Sequence, residues 1–185
     1  MGRDKATLEL AGRPLALWVA AALAPVVSEV WLITSQPEVH LALGLPLVTD
    51  LYPQQGPLGG LLTALFYART PWVLVAAADT PFLSSALVAA LAGHAGKATG
   101  AAWVCRSARG LEPFPGLYSV KLRPRLADFL KTERSFQAFL EKSRAQVITP
   151  EIVEGVDPQG LSFINLNTRE EVSRAAELAE EHLTP

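Results

Sequence analysis

Three short apolar runs, residues 30–33, 46–49 and 72–77, are separated by stretches of helical periodicity, and this alternation constrains the fold more than any other feature. Val30-Trp31-Leu32-Ile33 and the run from Trp72 to Ala77 are continuous and partly β-branched, as expected of strands buried on both faces. Ahead of them Pro14 suits a first helical turn, Leu15, Trp18, Val19, Ala22 and Leu23 share one helical face, and Pro25 ends the helix. Ser35 with Glu38 fits a capping box opening a short helix to about residue 43. Further helices are expected over residues 58–68 and from Ser84 or Ser85 to residue 92. Residues 101–105, 116–119 and 147–148 read as strands, and 122–130 and 135–142 as helices. Thr168 with Glu171 is a second capping box, for a last helix to about His182. Strands alternating with helices imply a mostly parallel sheet covered on both faces: an α/β protein of three layers, α/β/α. No linker, repeat or low-complexity tract divides it, so one domain is expected over residues 1–185.

Half of the 185 residues are apolar and 18% are charged, which suits a globular chain with a proper core. The net charge of −2, with acids and bases interspersed, argues against non-specific nucleic-acid binding, which needs a basic face. A small phosphorylated ligand needs only one or two local cations and stays open. The single cysteine, Cys105, excludes an intramolecular disulfide and a multi-cysteine metal site, and reads as a small buried hydrophobe. No signal peptide opens the chain, and the apolar stretch 15–27 contains Pro25 and is too short to cross a bilayer. A cytoplasmic protein without a membrane partner is the expectation.

In such sheets ligands lie beyond the carboxyl ends of the strands. Those positions hold Ser35, Asp50 and Asp79. Either aspartate could be only a turn former. Asp79, however, is delivered by a wholly apolar strand and followed at once by Thr80-Pro81-Phe82, and a carboxylate held that rigidly suits Mg²⁺, which takes its other ligands from water and substrate phosphates. Gly56-Pro57-Leu58-Gly59-Gly60 precedes a helical run whose first amides favour a phosphate or polar base edge, unless the glycines serve only close packing of helix on sheet. Asn165 and Asn167 alternate along an extended segment and so share a side; a buried Asn165 amide would need a partner. Met1-Gly2-Arg3-Asp4-Lys5 sets a glycine shortly before a lysine, the pairing phosphate binding wants, and reads as the back half of a nucleotide-gripping loop; the bland alternative is a polar terminus.

Other chemistry-bearing residues look structural. His40, His94 and His182 are widely spaced and read as surface positions, with no zinc pattern. Trp18, Trp31, Trp72 and Trp103 read as core, and the glutamates of residues 170–181 as a solvated helix face.

Taken in order, Met-Gly-Arg-Asp-Lys-Ala at the start, Gly12-Arg-Pro-Leu, Gly56-Pro-Leu-Gly-Gly, Asp79-Thr-Pro-Phe, Glu112-Pro-Phe-Pro-Gly-Leu-Tyr and Asn165-Leu-Asn-Thr resemble the molybdenum cofactor guanylyltransferase family along the whole chain. The resemblance implies the Rossmann-like nucleotide-diphospho-sugar transferase fold. It also implies transfer of GMP from GTP to the phosphate of the molybdopterin cofactor, with Mg²⁺ and release of pyrophosphate. Under it, Lys5 matches the lysine on the triphosphate, Ser35 a polar nucleotide contact, Asp50 an aspartate of the nucleotide site, and Asp79 the Mg²⁺ ligand. Gly56, Pro57 and Gly59 match the loop associated with guanylyl transfer, and Asn165 and Asn167 the asparagine pair near the catalytic centre. Molybdoenzymes or cofactor-delivery proteins would be further partners. Arg106, Arg109 and Arg123 are pterin-contact candidates as cations near strand ends. The family's opening strand, its Leu-Ala-Gly-Gly segment and the arginine before the Met-Gly pair have no counterpart, so a chain starting at Met1 is expected to bind GTP poorly. The competing readings are a related transferase using CTP or a sugar phosphate, and a non-catalytic relic or pterin-binding module.

Overall fold

The structure, a computed structural model, describes residues 5–97, 100–107 and 109–183. A 3₁₀ turn over Lys5–Thr7 leads into a small hairpin of β1 (Glu9–Leu10) and β2 (Arg13–Pro14). Ala11 and Gly12 form its tip at φ 50° and 74°, the left-handed backbone that a two-residue hairpin turn requires. Helix α1 (Leu15–Leu23) follows and buries Leu15, Trp18, Val19 and Ala22, the face marked by the periodicity.

Next come β3 (Leu32–Thr34), α2 (Pro37–His40) and β4 (Leu47–Thr49), the two strands pairing in parallel. The Ser35–Glu38 capping box does not form: Gln36 occupies the cap, and its amide donates to Thr34 Oγ1 instead. Helix α3 (Gly56–Tyr67) precedes β5 (Trp72–Val75), and α4 (Ser85–Ala92) carries the expected cap, with Leu87 N donating to Ser84 Oγ. The chain then makes a hairpin of β6 (Ala102–Ser107) and β7 (Gly110–Ser119), followed by α5 (Arg123–Phe129), α6 (Phe136–Lys142) and β8 (Gln146–Val147). Strand order is β5-β7-β6-β8, with β7 antiparallel to both neighbours and β6 parallel to β8. The α/β architecture is the expected one, but the pairing is mixed. β3 and β4, joined through α2, pair in parallel; β6 and β7 have no helix between them and can only turn back.

The sequence suggests a strand over only 116–119 because Pro113 and Pro115 lack amide protons. The register explains how β7 accommodates them. Val104 pairs with Gly116 and Cys105 with Glu112, so residues 113–115 sit in a bulge, while β5 meets β7 only from Gly116 onward. The prolines therefore owe no ladder bond on either edge. Two further helices close the chain after α7 (Pro150–Val156), an element the sequence reading lacked although Thr149-Pro150-Glu151 is a start signal. They are α8 (Arg169–Arg174), opened by the complete Thr168–Glu171 capping box, and α9 (Ala176–His182), so the expected single helix is divided at Ala175.

Alternation along β6 separates the two main cores. Ala102 and Val104 face Leu61, Leu65, Leu126 and Phe139, whereas Trp103 and Cys105 face Leu87, Leu91 and Val153. Each fully buried leucine is worth about 1.5–3 kcal/mol. A third cluster joins the chain ends: Leu8, Leu10 and Leu15 pack on Leu166, Ala175 and Ala179. β3 and β5 are only half-buried despite their apolar sequences, because among the described residues no pairing joins them to each other. Trp31 and Trp72 are accordingly half-exposed, while Trp18 and Trp103 are core. No described helix is long and apolar enough to cross a membrane.

Gly59 has a steric reason to be glycine. A Cβ there would lie 2.2 Å from the Tyr52 carbonyl oxygen, whereas one at Gly60 meets nothing within 4 Å. Gly59→Ala should lower stability by about 1–3 kcal/mol in urea unfolding, and Gly60→Ala should be neutral or raise it by up to about 1 kcal/mol. Cys105 is fully buried, and burial, followed by the charges of Glu112 and Asp157, pushes its thiol up to about 12. At about pH 8 the thiolate is therefore scarce, and a disulfide reagent should modify Cys105 only once urea unfolds the protein.

Candidate active site

The apolar run of β5 continues through Ala78 and ends at Asp79, where Thr80 folds the chain back by donating from its hydroxyl to Ala77 O at 2.8 Å. Asp79 is held from the far end of the sequence. Leu166 N donates to its carbonyl at 2.8 Å, and Asn165 Nδ2 donates to its Oδ1 at 3.0 Å. Lys5 Nζ donates to Asn167 Oδ1 at 2.5 Å and lies 4.0 Å from Asp79 Oδ2. Lys5, Asp79, Asn165 and Asn167 are thus one cluster. The two asparagines are exposed and flank the buried Leu166, so the alternation holds, although the segment is an irregular extended stretch and not a strand. Asn165 is accordingly not the buried strand amide expected, yet it does have a partner. Glu171 orients the other end: its carboxylate accepts from Asn167 N at 2.5 Å and Thr168 N at 3.1 Å. These bonds, that of Asn167 first, hold its carboxyl below the usual range.

The Asp79 side chain is 16% exposed and that of Lys5 is 52% exposed, so the ammonium is loosely paired and reaches solvent. Both line a cleft of about 470 Å³ together with Ile33, Thr34 and His40. The cleft lies between the ends of β3 and β5. His40 is a correction: the sequence reading put it on the surface, but it is buried, with Nδ1 3.2 Å from Thr34 Oγ1 and 3.0 Å from Gln36 O. A histidine one short turn after a strand end carries no periodic signal of such burial. Its burial follows from tertiary packing, the return of α2 against β4 included.

Asp50 follows β4 on the same carboxyl edge but turns towards α3. Its Oδ1 accepts from Tyr52 N at 2.9 Å and from Thr63 Oγ1 at 2.7 Å, and Thr63 in turn accepts from Leu51 N at 3.0 Å. Its described bonds order the loop ahead of α3 and do not reach the Lys5 cluster. Ser35 is exposed just beyond β3. Gly56 and Pro57 are exposed at the start of α3, with Gly56 at φ 58°, while Gly59 is buried under the Tyr52 loop. Of the arginines, Arg109 is engaged with Phe163 O and Glu112, and Arg123 lies over the Phe66 ring. Met1 to Asp4 of the opening motif lie outside the described residues. Among the described residues no group of three or more histidines, cysteines or carboxylates could form a metal cage.

Residues 1–147 match the family of the MobA-like NTP transferase domain. The molybdenum cofactor guanylyltransferase of Serratia proteamaculans is 34% identical over 176 residues, covering 94% of this chain and 85% of the relative. That of Cereibacter sphaeroides is 35% identical over 184 residues, covering 96% and 89%. Among solved structures, the molybdopterin-guanine dinucleotide biosynthesis protein A of Archaeoglobus fulgidus superposes with a TM-score of 0.82 at 23% identity, over 97% of this chain and 92% of that one. The 2-C-methyl-D-erythritol 4-phosphate cytidylyltransferase of Thermus thermophilus gives 0.66 at 21% identity, over 95% and 94%. These likenesses establish the nucleotide-diphospho-sugar transferase fold, and with the sequence matches they place the chain in the MobA-like NTP transferase family, among the molybdenum cofactor guanylyltransferases.

Proposed function

We propose that this chain, acting as one nucleotidyltransferase domain, transfers GMP from GTP to the phosphate of the molybdopterin cofactor and releases pyrophosphate. The observation that carries the reading is the convergence of Lys5, Asp79, Asn165 and Asn167 at the mouth of one cleft, in a chain about one-third identical to curated guanylyltransferases. The pterin phosphate is ionised at neutral pH, so its oxygen can attack the α-phosphorus without a general base. One P–O bond forms as the bond to pyrophosphate breaks. What the protein must supply is position and charge.

Lys5 provides a half-exposed ammonium for the negative charge that grows on the departing pyrophosphate. Asn167 fixes that ammonium, and Asn165 fixes the Asp79 carboxylate by occupying Oδ1. The donor set also fits Mg²⁺: one carboxylate fixed at Oδ1 by Asn165, its Oδ2 only loosely paired with Lys5 at 4.0 Å, on a cleft with room for water and substrate oxygens. Asp79 would hold the ion, which when bound supplies Lewis-acid neutralisation of the phosphate oxygens. The start of α3 at Gly56 and Pro57, and Ser35 beyond β3, are the proposed nucleotide contacts, with Asp50 holding the loop between them in shape.

Asp79→Asn should reduce Mg²⁺-dependent GMP transfer by at least about 100-fold while leaving thermal unfolding within a few degrees of the parent. Turnover equal to the parent's would remove Asp79 from the reaction. Calorimetry with GTP and CTP in the presence of Mg²⁺ should detect GTP binding at least about tenfold tighter. Preference for CTP would favour a cytidylyl transferase instead.

A further inference from the structure

Asn165 is exposed and belongs to no strand or helix, yet it must hold Asp79 in one orientation. The segment that carries it is pinned on both sides. On the far side, Leu166 N binds Asp79 O. On the near side, the carbonyl of Phe163 accepts from Arg109 Nη2 at 2.5 Å. Arg109 comes from the β6–β7 hairpin, and its guanidinium is itself aimed by Glu112, whose Oε1 lies 3.3 Å away and also accepts from Ser107 Oγ at 2.5 Å. Arg109 N in turn donates to Ser107 Oγ at 3.0 Å. Glu112 is largely buried, its side chain 15% exposed, so it presents a rigid anchor where Arg109, 65% exposed, would otherwise be free to rotate. Gly110, at φ 117°, lets the hairpin turn tightly enough to bring both ends together.

We propose that Ser107, Arg109 and Glu112 form a hairpin latch that positions Asn165 against Asp79, making Arg109 a positioning residue for the phosphoryl transfer. This rests on the reading of the Asp79 cluster as the active centre. The start of this stretch has its own bonds: Asp157 accepts from Leu161 N and Ser162 N, Ser162 Oγ accepts from Ser84 N, and Phe163 N and Ile164 N donate to Gly160 O and Leu161 O within the local turn. Asn167, past the join, is held by Lys5 and Glu171. Among the described residues, the hydrogen bonds that reach Phe163 to Leu166 from elements distant in the chain are those of Arg109 and Asp79. The latch therefore sets the geometry of the carboxylate without touching substrate, and its loss should act on turnover more than on nucleotide affinity.

Three measurements on the full chain test this. Arg109→Gln should lower kcat about tenfold with KM for GTP within about twofold, and Arg109→Lys, which keeps a charged donor for the Phe163 carbonyl, should recover most of that loss. Hydrogen exchange of the Leu166 amide should become at least about tenfold faster in Arg109→Gln, with the amides of residues 116–119 in β7 unchanged. Unchanged kcat together with an unchanged Leu166 amide would overturn the latch, as would a loss of protection spread equally over β7. If the parent chain transferred no GMP at all, the functional reading would fall. The latch would then be decided by exchange alone: local loss at Leu166 sustains it, and no loss refutes it.

Discussion

The join between Asp79 and the segment around Leu166 organises the molecule. A backbone bond from Leu166 N to Asp79 O and a side-chain bond from Asn165 tie the end of β5 to residues that follow seven further helices and strands. Closing so long a loop has an entropic cost, which rises only slowly with length. The third apolar cluster offsets it. Leu8, Leu10 and Leu15 from the first hairpin and helix pack on Leu166, Ala175 and Ala179 from the last segments, which brings Lys5 beside Asn167. Polar geometry at the cleft thus depends on apolar burial directly behind it.

The mixed sheet serves the same end. β5 delivers Asp79 from a strand with one partner among the described residues, and β7, the partner, doubles back through β6. That return places the Ser107–Glu112 hairpin next to Phe163. A wholly parallel sheet would need a covering helix between those strands and would leave no hairpin there. The bulge opposite Cys105 lets two prolines reside in β7 without breaking the ladder, and Tyr118 Oη uses the Pro113 carbonyl that the bulge leaves over, at 2.6 Å. The half-buried β3 borders the cleft, which opens between its end and the Ala78–Asp79 continuation of β5.

Asp50 shows how a correct position can conceal a different local role. It sits after β4 as expected, but its carboxylate is committed to Tyr52 N and Thr63 Oγ1, thirteen residues on. Its contribution to the cleft passes through the loop it orders. Gly59 is similar: the Tyr52 carbonyl is by itself enough to require glycine there.

Much of this was legible along the chain. Apolar runs located the strands, periodicity the face of α1, and side-chain chemistry the Ser84 and Thr168 caps, because each depends on neighbours within about one turn. Asp79 at a strand end, Lys5 after the opening glycine, and the alternating Asn165 and Asn167 were each legible as candidate residues. Burial of His40, the proline-bearing bulge in β7, the failure of the Ser35–Glu38 cap, and the Arg109–Glu112 contact with Phe163 were not legible. Each of these is set by which distant surface arrives opposite a residue, and local spacing holds no record of that. The sequence by itself therefore determined most of the elements and the chemistry available at their ends. Tertiary packing alone decided which ends meet, since that choice is made by apolar clusters drawn from both extremes of the chain.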